Sequence, residues 1–239
     1  MRTTPPEMAG VHPLEQLRYL ARGWESGEEF PAQDAAAVLA ELAADNPVSL
    51  LQACRRLIEY FPSAGPAWWL SARALSAPEP VEGIWVAADE LAHDPTSRIV
   101  SESLPSGGAV AVPEPSSVVM AALRRRRDVQ LQRRSSGAYL CVVAARAAGP
   151  GSVLVGRHSA SAVAAGARAG NDVWVVVERG ALLPGPLWDQ LVERALPVTR
   201  MEVVEASAFS GVIGDQGLGS FEEVLSKPSC PPIAELLGW

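Results

Sequence analysis

Lysine is nearly missing from this chain. Lys227 is the only one, every other strong base being arginine, and together with the abundance of alanine this reads as a compositional bias, not a binding signal. Positive charge is in short supply: 20 basic against 27 acidic side chains leave a formal net charge of -7. A general nucleic-acid surface needs concentrated excess positive charge, so nucleic acid is argued against as a partner. Cys54, Cys141 and Cys230 are odd in number and far apart, with Cys141 inside an apolar strand. That pattern makes neither a disulfide framework nor a zinc site and fits a reduced compartment. His158 has no His, Cys or carboxylate at ligand spacing, and His12 and His93 are remote in sequence, so no metal is expected. No apolar run approaches the ~18 residues of a membrane span, and MRTTPPEMAG lacks an apolar targeting core, which places the expected location in the cytoplasm and excludes a membrane partner.

What is present points to a folded protein with two kinds of periodicity. At 239 residues, 48% hydrophobic and 20% charged, the chain has length for one large domain or two small ones. From His12 to about Asp94 the apolar spacing is helical: Leu14, Leu17, Tyr19 and Leu20, then Val38, Leu39 and Leu42, then Leu50, Leu51, Cys54, Leu57 and Ile58, then Trp68, Trp69, Leu70 and Ala74. Prolines 13, 31, 47, 62, 66, 78 and 80 fall between these runs, where helices start and stop. The spacing predicts a bundle of four or five helices. The Trp68–Trp69 pair in PSAGPAWWLSARAL is expected to be core or helix–sheet packing.

Asp94 to Gly108 is polar and rich in turn residues and reads as a passage between two parts, with a boundary near Ser106, giving a helical domain over 1–105 and an α/β domain over 106–239. Beyond it AVAV (Ala109 to Val112) predicts a strand, PEPSSVVMAALRRRR a helix capped by Ser116 or Ser117, and DVQLQ (Asp128 to Gln132) another strand. The stretch Ala138 to Trp188 organises this half. YLCVV and VWVVV are short β-branched runs that read as strands buried on both faces, and the Ala-rich segment Ser159 to Ala169 between them has Ser at its start and Gly170 past its end, the caps of a compact helix. Two such strands joined by a helix make a parallel βαβ crossover. After Trp188 a helix continues through DQLVERAL, and the remainder reads as a tail packed on the sheet domain.

Candidate sites follow from that layout. GRHSAS lies after a strand and at a helix start, where free N–H groups and the positive dipole end favour an anion, with Gly156, Arg157, His158 and Ser159 as its donors. Glu114, between Pro113 and Pro115, stands at a strand's carboxyl end, where open α/β sheets bind ligands. Arg124 to Arg127, with Arg133 and Arg134, could form a phosphate patch, but at a helix C-terminus arginine also complements the macrodipole on a solvated face. GDQGLGS lacks the strand-before, helix-after context of a dinucleotide fingerprint and reads as a loop, so no cofactor is expected. Cys141, in a continuous apolar strand, reads as inert core and not as a nucleophile.

The order of FPSAGPAWW, AVAVPEPSSVVMAAL, AYLCVVAARAAGPGSVLVGRHSASAVA, VWVVV and SAFSGVIGDQG resembles the family that contains the alpha, beta and delta subunits of translation initiation factor 2B and methylthioribose-1-phosphate isomerase. The resemblance implies a helical N-terminal domain followed by a Rossmann-like parallel sheet. It also implies where catalytic groups would stand. The isomerases' glycine-alanine-aspartate-arginine signature falls on Val143 to Arg146, with Ala145 at the aspartate. Their cysteine position faces Glu114 to within a residue, and of the asparagine-lysine pair that holds phosphate, only Arg157 among Val155 to Arg157 could contact an anion. Alanine cannot move the proton that such an isomerisation needs, and the segment from Gln132 to Gly137 is too short for a helix and strand that catalytic relatives carry.

The leading expectation is therefore a non-catalytic initiation-factor-2B-like protein with no catalytic residue, acting by subunit association or regulation. It would pair with itself or with a related subunit, retaining at most a vestigial phospho-ligand site formed by Glu114, Arg146, Gly156, Arg157, His158 and Ser159. A phosphorylated small molecule is the ligand class implied. The alternative is a sugar-phosphate isomerase with acid–base groups relocated to Glu114, Arg146 and His158. A nucleic-acid-linked translation factor rests on the family and the arginine run alone. Self-association is expected through the sheet domain, with Val203, Val204, Phe209, Val212, Ile213, Leu236, Leu237 and Trp239 as its apolar surface.

Overall fold

Helix periodicity in the first part of the chain is realised almost residue for residue. The structure, a computed structural model, describes residues 13–22, 29–133, 138–225 and 228–239; His12, Arg134 and most of the short segment before Gly137 lie outside the described residues. The helices are α1 (Pro13–Arg22), α2 (Ala32–Asp45), α3 (Leu50–Tyr60), α4 (Gly65–Ser76) and α5 (Pro80–Ala92). In α3, Leu50, Cys54, Leu57 and Ile58 are buried on one face at helical spacing. Trp68 and Trp69 of α4 are both completely buried, as the core reading expects. Burial of the Cys54 thiol pushes its pKa up to about 12, so it is inert.

The span read as a turn-rich passage contains a helix, α6 (Thr96–Ser103). Asp94 starts it, its Oδ1 accepting from the Thr96 amide at 3.0 Å and the Thr96 hydroxyl at 2.6 Å. Val100 and Leu104 are buried in one cluster with Val110, Val142 and Ile213, so this helix covers the sheet.

The second part alternates as expected: β1 (Ala109–Ala111), α7 (Ser117–Arg124), β2 (Gln130–Gln132), β3 (Leu140–Ala144), β4 (Ala147–Gly149), β5 (Ser152–Gly156), α8 (Arg157–Ala169), β6 (Asp172–Val176), α9 (Gly185–Ala195), β7 (Met201–Glu205), β8 (Gly211–Gly214), β9 (Gly217–Gly219) and α10 (Phe221–Leu225). The main sheet has the order β2-β1-β3-β6-β8-β9. It is parallel except for β9. Cys141 lies opposite Val173 and Val143 opposite Val175, so β3–α8–β6 is the parallel crossover the sequence predicts. GDQGLGS is a β8–β9 hairpin and not a free loop.

A second sheet, β4-β5-β7, is antiparallel and was not foreseen. Along β5 its alternation divides the two parts of the molecule: Leu154 joins the core of the helical bundle, while Val153 and Val155 join that of the main sheet. The close approach of the parts is fixed at Gly65, whose amide donates to the Arg146 carbonyl at 2.9 Å. A Cβ there would lie 2.8 Å from the Ala181 backbone, so only glycine fits.

The tail meets expectation in part: β7 to α10 join the two sheets and the main-sheet core, but the last residues do not. α9 and the last residues pack on the helical bundle: Leu187, Leu191, Cys230 and Leu236 are in its core. Trp69 Nε1 donates to Ser229 Oγ at 3.1 Å, and the Arg55 guanidinium lies 5.3 Å from the Trp239 ring. Val212 and Ile213 are interior to the main sheet, and with Leu236 they are buried within the chain. These residues cannot serve as the expected self-association surface.

Candidate functional site

A ligand site in a doubly wound sheet lies beyond the strands' carboxyl ends, where the chain order reverses. Here β1 continues to β2 on one side and, later, to β3 on the other, so the reversal falls between β1 and β3. Glu114 follows β1 and Arg146 follows β3. Beyond the next two strands come Glu178 and Arg179, after β6, and Asp215, after β8. The edge is thus a row of ionisable side chains from four strand ends.

Glu114 is not directed into open space. Its Oε2 accepts from Ser159 Oγ at 2.7 Å and from the Ser159 amide at 3.4 Å. A Cβ on Gly156 would come within 2.0 Å of Oε2 and 2.6 Å of Cδ, so the carboxylate sits directly on the first turn of α8. Gly156 is the N-cap residue of α8, with Ser159 inside its first turn. Ser159 is therefore a donor to a remote carboxylate and not the N-cap the sequence suggests. The predicted far end is as expected, with Gly170 left-handed at φ 70°.

The other expected donors stand apart. Arg157 and His158 are exposed, and the Arg157 guanidinium is drawn toward Glu202 of β7 at 3.4 Å. Arg146 lies near enough to Glu114 for their charges to interact. Burial pulls its pKa down, and the nearby carboxylates of Glu178 and Glu114 act in the opposite direction. Glu114, Gly156 and Ser159 are thus in contact and Arg146 lies within electrostatic reach of Glu114, while Arg157 and His158 are exposed. Ala145, at the family's aspartate position, is buried, its amide donating to the Val176 carbonyl at 2.8 Å.

Sequence reasoning missed Glu178. Burial pushes its carboxyl up to about 7, with Asp94 and Glu29 adding to the rise and Arg146 opposing it. The turn that carries Glu178 is pinned: the Arg179 amide donates to Asp94 Oδ2 at 3.1 Å, and its guanidinium pairs with Asp215 at 3.0 Å. The available signal was a Glu–Arg pair directly after the buried run VWVVV, at the sheet edge where ligands bind.

The arginine run has a different job. Arg126 donates to the carbonyls of Ser101 at 2.8 Å, Leu104 at 2.6 Å and Pro105 at 2.8 Å, and it pairs with Asp128 at 2.8 Å. The guanidinium holds Asp128 well below the usual carboxylate range. This arginine clamps the end of α6 and is not part of a free basic patch. Among the described residues no group of three or more His, Cys, Asp or Glu could hold a metal ion, and no helix is long and apolar enough to cross a membrane.

Neither a protein-family profile nor a curated protein sequence matches the chain. Solved structures do. The chain is similar to translation initiation factor 2B from Pyrococcus horikoshii, at 13% identity and a TM-score of 0.69 over 90% of this chain and 99% of that one. It is similar to a chain of the tetrameric beta2-delta2 complex of the factor from C. thermophilum, at 14% identity and a TM-score of 0.74 over 94% and 98%. It is also similar to 5-methylthioribose 1-phosphate isomerase from Pyrococcus horikoshii, at 13% identity and a TM-score of 0.57 over 90% and 87%. The chain therefore has the fold shared by these factor subunits and the isomerase, a helical N-terminal region followed by a mostly parallel sheet with helices. The structure neighbours are the proteins the sequence pattern resembles.

Proposed function

We propose that this protein is a non-catalytic relative of the initiation-factor-2B subunits that works by association with its own copies or with a related subunit. The observation that carries this reading is the commitment of Glu114: the one acid facing the family's cysteine position is bound to Ser159 on the first turn of α8. Beside it the aspartate position is filled by buried Ala145. Association is supported by a similar chain that belongs to a tetrameric complex. With Val212, Ile213 and Leu236 buried, the large apolar side chains exposed in the sheet half among the described residues are Leu131, Tyr139, Leu196, Val198, Leu218 and, of the tail residues expected at the surface, Val203. Light scattering of the purified chain over a range of concentrations tests the reading. A molar mass above that of one 25.2 kDa chain is expected, and a monomer at every concentration, alone and with related subunits, would overturn it.

A second reading, the isomerase, is favoured by one observation: Glu178, buried at the carboxyl edge within electrostatic reach of Arg146 and pushed up to about 7 by that burial, is an acid–base candidate. Fold alone does not choose between the two readings.

A further inference from the structure

We propose that the exposed face of α5 docks on the β2 edge of a second copy of this chain, an acidic apolar surface meeting a basic apolar one. The inference rests on association as proposed above and names the two surfaces that carry it. Ile84, Ala87 and Ala88 of α5 are buried in the bundle core, and Val81, Glu82, Trp85, Val86 and Asp89 are exposed on the opposite face at helical spacing. A solvent face is ordinarily polar, yet three of these five side chains are large and apolar. Trp85 is 43% exposed and is the one exposed tryptophan among the described residues. An aromatic side chain amid other exposed apolar groups is what interfaces use as an anchor, and left uncovered it invites aggregation. The charge beside it is acidic. Glu90, on the flank, is paired with Arg73 at 2.8 Å, and Asp89 lies 3.1 Å from the His93 ring. The side chains of Glu82 and of Glu79, just before the helix, have no ion pair or hydrogen bond among the described residues. A partner for this face must therefore bring positive charge together with an apolar side chain.

The chain as a whole, at a net charge of -7, repels such a face, but the β2 edge has what it needs. β2 is the outer strand of the main sheet. Gln130 and Gln132 turn their backbone to the sheet, the Gln130 amide donating to the Gly108 carbonyl and the Gln132 carbonyl accepting from the Val112 amide, both at 2.8 Å. The peptide groups of Leu131 between them point off the edge, and its side chain is 46% exposed. Bases bracket it: Arg124 closes α7, Arg127 lies in the turn that follows, and Arg133 comes directly after the strand. All three are exposed and, unlike Arg126, have no ion pair or hydrogen bond among the described residues. A three-residue edge flanked by like charges resists the addition of another strand. It suits an acidic helix face. The two surfaces belong to different parts of the molecule, and the exposure of each shows that they do not cover one another within one chain. Each copy thus offers one of each.

The test is light scattering of the full chain as wild type, as Trp85→Asp, as Leu131→Asp and as an equimolar mixture of the two variants, with circular dichroism to confirm that each is folded. Wild type is expected above the 25.2 kDa of one chain. Each variant alone should be monomeric, its association weakened at least tenfold. The mixture should recover a particle of two chains, because the Leu131→Asp copy keeps its α5 face and the Trp85→Asp copy keeps its β2 edge. Added salt should dissociate the wild-type oligomer, since the charges that meet are exposed before docking. Glu82→Arg, which leaves every buried residue in place, should weaken association as well, and Arg127→Glu in the same chain should restore part of it. Wild-type oligomers that survive any of the three single substitutions or are indifferent to salt, or two monomeric variants whose mixture stays monomeric, would overturn the proposal while leaving association itself standing. A wild type that is monomeric at every concentration would overturn both.

Discussion

Glu114 and Glu178 stand on the same edge of the same sheet, at the ends of the two strands that flank β3, and both face Arg146. Glu114 accepts two hydrogen bonds from Ser159. Glu178 has Asp94 and Glu29 as electrostatic neighbours, and its carboxyl is pushed up to about 7. The difference teaches that position on the edge does not set a carboxylate's role. Donors at a helix start turn one into structure, while burial among acids leaves the other poised to exchange a proton.

The largest expected effect concerns Glu178. Its pKa in the folded chain, about 7, lies above the ordinary 4.5, so the folded state holds the proton more tightly than the unfolded one. The stability that depends on this is fully present below about pH 4.5 and is lost as pH rises through about 7. Glu178→Gln should therefore match wild type near pH 4.5 and exceed it at pH 8 by roughly 2–3 kcal/mol in denaturant unfolding. Curves that stay parallel at all pH values would erase the contrast with Glu114.

Gly156→Ala forces the Glu114 carboxylate off α8, and a loss of about 2 kcal/mol is expected, as for other overpacked sites. An unchanged midpoint would mean that the contact between Glu114 and Gly156 is loose. Ser159→Ala removes the hydroxyl donor to a carboxylate while leaving the amide, and thermal unfolding should register about 1 kcal/mol. The smallest effect is expected at Arg127, an exposed member of the arginine run whose neighbour Arg126 carries the clamp. Arg127→Ala should stay within about 0.5 kcal/mol. A larger change would restore a role for the run as a unit.

Much of the fold was legible because its signals are local. α3 shows its buried face in the spacing of Leu50, Cys54, Leu57 and Ile58, and Ser116 caps α7 as its place before the apolar run suggests, accepting from the Val119 amide at 3.3 Å. What failed depends on distant partners. Ser159 looked like a cap because its true partner, Glu114, lies on another strand end. The tail read as a cover for the sheet, whereas Trp239 is held by Arg55 and Arg194 of the other elements. β4 is a three-residue Ala-Ala-Gly strand with no β propensity to announce it. Half of the site was visible in the same way. Glu114 and Arg146 follow apolar runs, and so does Glu178, but its raised pKa comes from Asp94 and Glu29 in the helical part, which no reading along the chain brings near it.

The most direct test of the central claim, that Glu114 and Ala145 leave this edge without isomerase chemistry, is a turnover assay with 5-methylthioribose 1-phosphate, followed by appearance of the ketose product, on wild type and Glu178→Gln side by side. The account predicts no conversion above the uncatalysed rate in either. Steady conversion by wild type that disappears in Glu178→Gln would contradict it and make Glu178 the acid–base group of an enzyme.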